Sequence, residues 1–483
     1  MSNNVSEKHP EYTLQSPDWL LLRECYKGER TVKLAATRYL PLTTSQFLDG
    51  AAKSTETPGY HAYISYKLRA RFYNFLREAV QTAIGMMHSQ PPEINLPDSM
   101  KNIKSSKGES LPKLLRRINT EQLITGRIGL MADMPTKPEV GKDLPYLTTY
   151  AAERIINWDD GAVNELVPQI LNLVVLDESE EVRQDGFSWK LEQKFRVLSI
   201  GTLKDNQSKG IYSQSLHLMN EPSSKTSEIP SWRGRSLDSI PFVIINACDI
   251  VSDVDEPPLM DLANLCMTIY RGDADYRQNL FMQGQDTLVI SGGDKDEEDP
   301  VRTGAGARID LPLTGKADYI GVTSNGLSEQ RESQEHMESQ AGSMGAQTMD
   351  TTSRERESGD SLRIRIAART ADLNQIADTG AEGLEQVLKN VAKWIGEDPD
   401  QVEVKPNKEF GEMPLTGQSM VEMATARTLG FPLSAKSMHS LASKRRMTIL
   451  TYDEEMAQQK LEDKENHPFK KPETADRAGP NQN

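Results

Sequence analysis

The chain has 483 residues and carries 56 Lys and Arg against 71 Asp and Glu, a formal charge of -15. Only 37% of the residues are hydrophobic and 6% aromatic, with a mean hydropathy of -0.58; this excludes one large dry core and predicts roughly two to four substructures. The acidic balance also argues against a high-affinity DNA clamp, because affinity for phosphate comes mainly from Lys and Arg releasing counterions, but it leaves open a surface that DNA slides past.

Along the chain, "SPDWLLLREC" predicts a short helix with Ser16 as N-cap and Pro17 at the first helical position. Phe72, Phe75, Leu76, Ala79, Val80, Ala83, Ile84 and Met87 then form one apolar helical stripe, ended by Pro91-Pro92. From about 120 to 245 the period changes. "TGRIGLMADMP" and "VPQILNLVVLDES" are short apolar runs, while "WKLEQKFRVLSI" and "GIYSQSLHLMN" nearly alternate. These predict an antiparallel, strand-rich region closed by the buried strand "SIPFVIINACD". The fold class is therefore α+β.

"EPPLMDLANLCMTIYRGDADYRQNLFMQGQ" predicts a helix with Pro258 at its start and Leu259, Leu262, Cys266 and Ile269 on one face. Its second half is polar nearly all round, which requires neighbours to hold it. A small β module around the acidic turn "GGDKDEEDP" follows, then the polar helix "GLSEQRESQEHMESQAG" and the loop "MGAQTMDTTSRERESG", which has no apolar anchor. Next comes a long helix striped by Leu362, Ile366, Leu373, Ile376, Leu384, Val387, Leu388, Val391 and Ile395. Gly380 and Gly383 would each cost about 1 kcal/mol there relative to Ala, so a bend or close packing is expected. "QVEVKPN" predicts a strand, two short helices come after it, and the Pro- and charge-rich end from about 464 is expected to be disordered.

Three cysteines, Cys25, Cys248 and Cys266, are too widely spaced for a disulfide framework or a C-x-x-C site, and fit a reducing compartment. No apolar run approaches the ~18 residues of a membrane span, and the first residues lack the order of a signal peptide. The expectation is a soluble chain made in a cytoplasm, with the sequons at Asn4 and Asn206 as chance matches. The histidines show no metal-ligand spacing, and no phosphate-binding loop or nucleophile motif is present. No cofactor, metal or catalytic residue is expected. Asp294, Asp296, Glu297, Glu298 and Asp299 could hold a divalent cation, but they lack the EF-hand spacing. "RGD" at Arg271–Asp273 falls inside a predicted helix, which argues against an exposed adhesion loop.

The order of "LLRECYKGERTVKLAATRYLP", "YISYKLRARFYNFLREAVQTAIGMM", "ITGRIGLMADMP", "LPYLTTYAAERIINW", "IPFVIINA", "PPLMDLANLCMTIYRGDADYRQ", "MGAQTM", "SGDSLRIRIA" and "VAKWIG" resembles the portal protein of tailed bacteriophages. More specifically, it looks like a group of phage proteins that carry a portal-like domain of otherwise unassigned function. The resemblance implies a wing at 1–255 and 396–460, stem helices at 256–285 and 326–343, a clip at 286–325 and a tunnel loop at 344–358. A long wing helix at 359–395, a disordered tail at 461–483 and a short or absent crown complete the expected organisation. It further implies a non-enzymatic ring, a dodecamer, at one capsid vertex of the virion, assembled in the host cytoplasm. Double-stranded DNA would pass through it, and its partners would be the capsid protein, the terminase and the head-completion, adaptor and tail proteins.

By position in this order, Thr351, Thr352, Ser353, Arg354, Glu355, Arg356 and Glu357 would line the channel. Asp294, Lys295, Asp296, Glu297, Glu298, Asp299 and Arg302 would dock the motor or adaptor. The rival readings are a soluble adaptor or scaffold and a metal-dependent hydrolase built on the acidic loop.

Overall fold

The computed structural model describes residues 4–134, 145–160, 171–201, 210–219, 226–283, 287–291, 315–320, 326–346, 359–408, 417–432, 434–444 and 450–466. The chain divides into two compact units, Met1–Gly411 and Glu412–Asn483.

In the first unit, α1 (Pro10–Lys27) begins earlier than the Ser16-Pro17 signal predicted. His9 is the N-cap, its Nδ1 accepting the Glu11 N–H at 3.3 Å, and Pro10 opens the helix. Pro17 lies inside the helix and has no N–H to give the Thr13 carbonyl; the Ser16 hydroxyl donates to that carbonyl instead, at 3.4 Å. The short helices α2 (Glu29–Leu34) and α3 (Thr44–Leu48) follow. The next two helices, α4 (Pro58–Arg69) and α5 (Phe75–Met87), are separated by a break that leaves Phe72 outside the helix its spacing predicted. Asn74 caps α5 by accepting the Arg77 N–H at 2.9 Å, and Asp273 accepts the Arg71 N–H at 2.7 Å, so the break is held from both sides.

After β1 (Glu93–Asn95), helix α6 (Leu111–Thr125) occupies a stretch that sequence reasoning left unassigned up to about 120. Gly126, at φ 72°, turns it directly into β2 (Arg127–Asp133). The strands that follow are β3 (Tyr146–Ala151), β4 (Ile155–Asp159), β5 (Leu173–Asp177), β6 (Glu180–Arg183), β7 (Trp189–Glu192), β8 (Lys194–Gly201), β9 (Ile211–Leu218), β10 (Thr226–Glu228) and β11 (Phe242–Asn246). Then come α7 (Met260–Gln283), β12 (Thr287–Ser291), β13 (Lys316–Ile320), α8 (Gly326–Ala346), α9 (Gly359–Ile395) and β14 (Glu403–Lys405). Among the described residues the strands form antiparallel sheets β10-β9-β8-β5-β4 and β11-β2-β3, with the pairs β1-β14, β6-β7 and β12-β13. The fold is mixed α+β.

Three cores follow from the sequence pattern. Val243 and Ile245 of β11 face Leu114, Leu115 and Ile118 of α6 and Leu384, Val387, Leu388 and Val391 of α9. Phe242 and Ile244, on the other face, join an aromatic core with Trp19, Trp158, Tyr212 and Trp394. Both faces are covered, which is why "FVIIN" is apolar throughout instead of alternating. A helical core joins α1, α4, α5, α7 and the Leu373–Ala377 turn of α9.

Helix α9 packs on β11 and α6 through its glycines. A Cβ on Gly383 would lie 2.4 Å from Ile245 Cγ1, and one on Gly380 would lie 2.3 Å from Asn119 Nδ2. Close packing is therefore the outcome at the two positions where a bend or close packing was expected.

The second unit holds α10 (Gly417–Thr428), α11 (Ala435–Lys444) and α12 (Tyr452–Asn466), one helix more than the sequence signals predicted. The extra helix, α12, is opened by Thr451, whose hydroxyl accepts the Glu454 N–H at 3.4 Å. Residues 467–483 lie outside the described residues.

Gly85, on the exposed side of α5, has nothing within 4 Å of an added Cβ. Gly85→Ala should therefore stabilise the protein by about 1 kcal/mol through helix propensity. Gly383→Ala should destabilise it by about 1–2 kcal/mol, because overpacking against Ile245 exceeds that gain. Urea unfolding of the pair checks both signs.

Candidate functional site: the two-helix arm

Helix α7 has 24 residues and α8 has 21, or about 36 and 32 Å of axis. They pack side by side, joined at their far end through the antiparallel β12-β13 pair. The near half of the arm is anchored: Leu262, Cys266, Ile269 and Tyr270 of α7 and Ala341 of α8 lie in the helical core. Beyond Ala274 on α7, and before Gln334 on α8, no described residue is buried. The outer half exposes Leu280 (49%), Phe281 (41%) and Met282 (58%). Phe281 is covered on one side by the Arg69 guanidinium, 4.0 Å from the ring centre. Asn279 Nδ2 donates to Gln330 Oε1 across the two helices at 3.1 Å.

The RGD tripeptide is a packing device in this arm. Arg271 Nε donates to the Tyr39 carbonyl at 2.9 Å. Gly272 is where α8 crosses, since a Cβ there would fall 1.9 Å from Gln334 Nε2. Asp273 is buried and accepts from Arg277 Nε at 2.8 Å and from the Arg71 N–H. Arg277 answers its charge, and the Arg71 bond ties the arm to the α4–α5 break. Sequence reasoning placed this tripeptide in a helix but missed its role; the signal available was a glycine inside a helix with a carboxylate beside it.

The C-terminal end of α8 is seated where a Cβ added to Gly345 would lie 3.6 Å from Ala79 Cβ and 3.9 Å from Leu262 Cδ2. The first described buried residue of α9 is Leu373, 14 residues after Gly359 and so about 21 Å along the axis. Thr351, Thr352, Ser353, Arg354, Glu355, Arg356 and Glu357, expected from the sequence to line a channel, lie outside the described residues. So do Asp294, Lys295, Asp296, Glu297, Glu298, Asp299 and Arg302, expected from the sequence to dock a motor or adaptor.

Among the described residues no group of three or more His, Cys, Asp or Glu side chains could hold a metal ion. No described helix is long and apolar enough to cross a membrane. Cys25 and Cys266 are buried free thiols, with burial pushing Cys266 up to about 11, and Cys248 is exposed.

Comparison with known proteins places a family match on this arm. Residues 258–395 match the family described as "Domain of unknown function (DUF4055)". The matched segment runs from the start of α7 through α8 to the end of α9. A domain of unassigned function is what the residue order pointed to, and the match falls on the span it assigned to stem, clip, loop and long helix. No curated protein matches. Among solved structures, the chain is similar to one titled "Neck of native GTA particle computed with C12 symmetry". The identity is 12%, the match covers 76% of this chain and 89% of that one, and the TM-score is 0.38. It is also similar to "Virion of native gene transfer agent (GTA) particle", at 13% identity, with 85% and 93% coverage and a TM-score of 0.38.

Asp273→Ala should cost about 3 kcal/mol, because it leaves Arg277 without its partner and the Arg71 N–H unpaired. Urea unfolding followed by circular dichroism measures the loss, and Asp273→Asn should recover part of it by keeping an acceptor.

Proposed function

We propose that the protein is a portal: a closed ring at one capsid vertex through which double-stranded DNA enters and leaves. The observation that carries this reading is the arm, two packed helices whose outer half has no buried residue among those described and shows Leu280, Phe281 and Met282 to solvent. Such a helix pair is stable where neighbours cover it, and a ring of identical copies provides that cover by reusing one pair of patches. The order of parts supports the reading too, because the family match covers the span that the sequence resemblance assigns to stem, clip, tunnel loop and long helix.

In this reading the acidic chain, at -15, gives a lumen that does not hold DNA phosphate strongly, with the repulsion damped over about 8 Å at physiological salt. Residues Thr351 to Glu357 would meet the DNA as a polar finger of near-zero net charge. Asp294 to Asp299 and Arg302 would present the motor- and adaptor-docking face. The energy for movement would come from a separate terminase.

Native mass spectrometry of the purified chain, with end-on electron micrographs, tests the ring. A closed particle of about twelve copies is expected, and a monomer at all salt and protein concentrations overturns the reading. Deleting residues 346–356 should leave the ring intact and impair packaging or retention of DNA; normal packaging by this mutant would remove the loop assignment.

A further inference from the structure

Strand β11 is covered on both faces yet, among the described residues, paired along one edge only. Its register sets Phe242 opposite Met131, and the Ala132 N–H donates to the Pro241 carbonyl at 2.9 Å. In an antiparallel ladder that bond fixes the alternation. Val243 and Ile245 direct their backbone groups to β2, while Phe242, Ile244 and Asn246 direct theirs away from it. At Asn246 the outward groups are used: its N–H donates to the Asp249 carbonyl at 2.9 Å, and its carbonyl accepts from Gln122 Nε2 at 2.7 Å. At Phe242 and Ile244, which are 3% and 2% exposed, the outward N–H and carbonyl make no hydrogen bond among the described residues. Buried backbone groups are nearly always paired. Both residues line a cleft of about 500 Å³, together with Ile240, Ile250 and, from α9, Gln386, Asn390 and Lys393. That volume takes a short stretch of chain.

A complementary edge lies on the same chain. In the β6-β7 ribbon the Gln184 N–H donates to the Ser188 carbonyl at 3.0 Å. By the same alternation, Trp189 and Leu191 direct their backbone groups outward along β7. Their side chains share one face and are 61% and 55% exposed, and Phe187 at the turn is 96% exposed. A two-stranded ribbon with its apolar side chains in water is marginal by itself.

We propose that the β7 edge of one copy pairs with the β11 edge of the next, extending the sheet β11-β2-β3 by strand addition. Trp189 and Leu191 are two residues apart, as are Phe242 and Ile244, so both edges repeat at about 6.8 Å. Antiparallel pairing satisfies the four buried groups at once. Glu180, Glu181 and Glu192 of the ribbon meet a cleft whose α9 wall carries Lys393, which makes no ion pair among the described residues. The contact joins two different surfaces, the heterologous kind of interface that a cyclic ring requires. The inference rests on the ring reading and names one of its interfaces.

Hydrogen exchange of the full-length chain, compared between dilute protomer and assembled particle, tests it. In the particle, two amide hydrogens within 240–246 and those of Trp189 and Leu191 should exchange at least about tenfold more slowly. Leu191→Pro removes one donor and should abolish that protection. Trp189→Lys, which leaves every backbone group in place, should lower it about threefold and reduce the fraction assembled. A particle of unchanged mass whose 240–246 exchange matches that of the protomer, or is unaffected by both variants, overturns the pairing and leaves the ring standing. Slow exchange already present in the protomer means that another segment of the same chain fills the edge, and also overturns it. A chain that stays monomeric by mass overturns the ring and the pairing together.

Discussion

Helix α9 can lie against the β11 sheet and α6 because Gly380 and Gly383 remove the side chains that would hold it off, and the other parts take their places from that contact. With the backbones this close, Thr379 Oγ1 comes within 3.1 Å of the Ala247 carbonyl and accepts from Gln122 Nε2 at 3.0 Å. Gln122 also donates to the Asn246 carbonyl, and Asn119 donates to Gln122 Oε1 at 2.9 Å and to the Ile376 carbonyl at 3.2 Å. His88, at the end of α5, completes the set through Asn119 Oδ1 at 2.9 Å, and burial holds its pKa below the usual imidazole value. Since the Asn119 amide donates to Gln122 and Ile376, its oxygen faces His88, so the neutral ring carries its hydrogen on Nε2. A buried network of this kind is favourable only when nearly complete, and it joins α5, α6, β11 and α9 in one register.

That register reaches both ends of α9. At its C-terminal end Trp394 is fully buried in the aromatic core, edge-on to Tyr212 at 6.4 Å. Toward its N-terminal end Leu373, Ile376 and Ala377 enter the helical core that seats the arm. One helix thus spans all three cores. A chain with 37% hydrophobic residues cannot fill a single large interior, and three smaller ones linked by a long helix are the solution its composition allows.

What the sequence made legible follows the same division. The stripe from Leu373 to Val391 and the run "FVIIN" were readable because their periods, about 3.6 and uninterrupted, correspond to burial on one side and on both sides. Helix α6 was missed because only Gly126 separates it from β2, so a helical stripe ending at Ile124 merges with a strand starting at Arg127. The start of α1 was misplaced because Pro17 imitates an N-terminal proline, while the true cap is a histidine, an uncommon capping residue. Helix α12 has no apolar stripe to announce it. At the arm, the sequence showed polar helices that need neighbours, but the tie from Asp273 to Arg71 spans 202 positions and has no local signature.

The junction between body and arm is held by packing and charge more than by directional bonds. Gly126, in its left-handed conformation, would place a Cβ 3.1 Å from Pro257, so the turn out of α6 lies against the approach to α7. Next to it, Arg127 is 1% exposed, and its guanidinium stacks on Trp158 at 4.2 Å with none of its nitrogens hydrogen-bonded. Trp158 is stacked in turn on His9, at 4.2 Å. Burial pushes Arg127 down to about 10, opposed by Glu11, Asp253, Asp255 and Asp249. It therefore remains charged at neutral pH, as the cation within the acidic turn that leads into α7. A field of this kind, with an aromatic face beneath it, tolerates small shifts that would break a bidentate salt bridge. Farther out on α7, the Asp273 contacts fix the arm with short, directed bonds. The approach to the arm is thus held by stacking and undirected charge at Arg127, and the arm itself by short, directed bonds at Asp273.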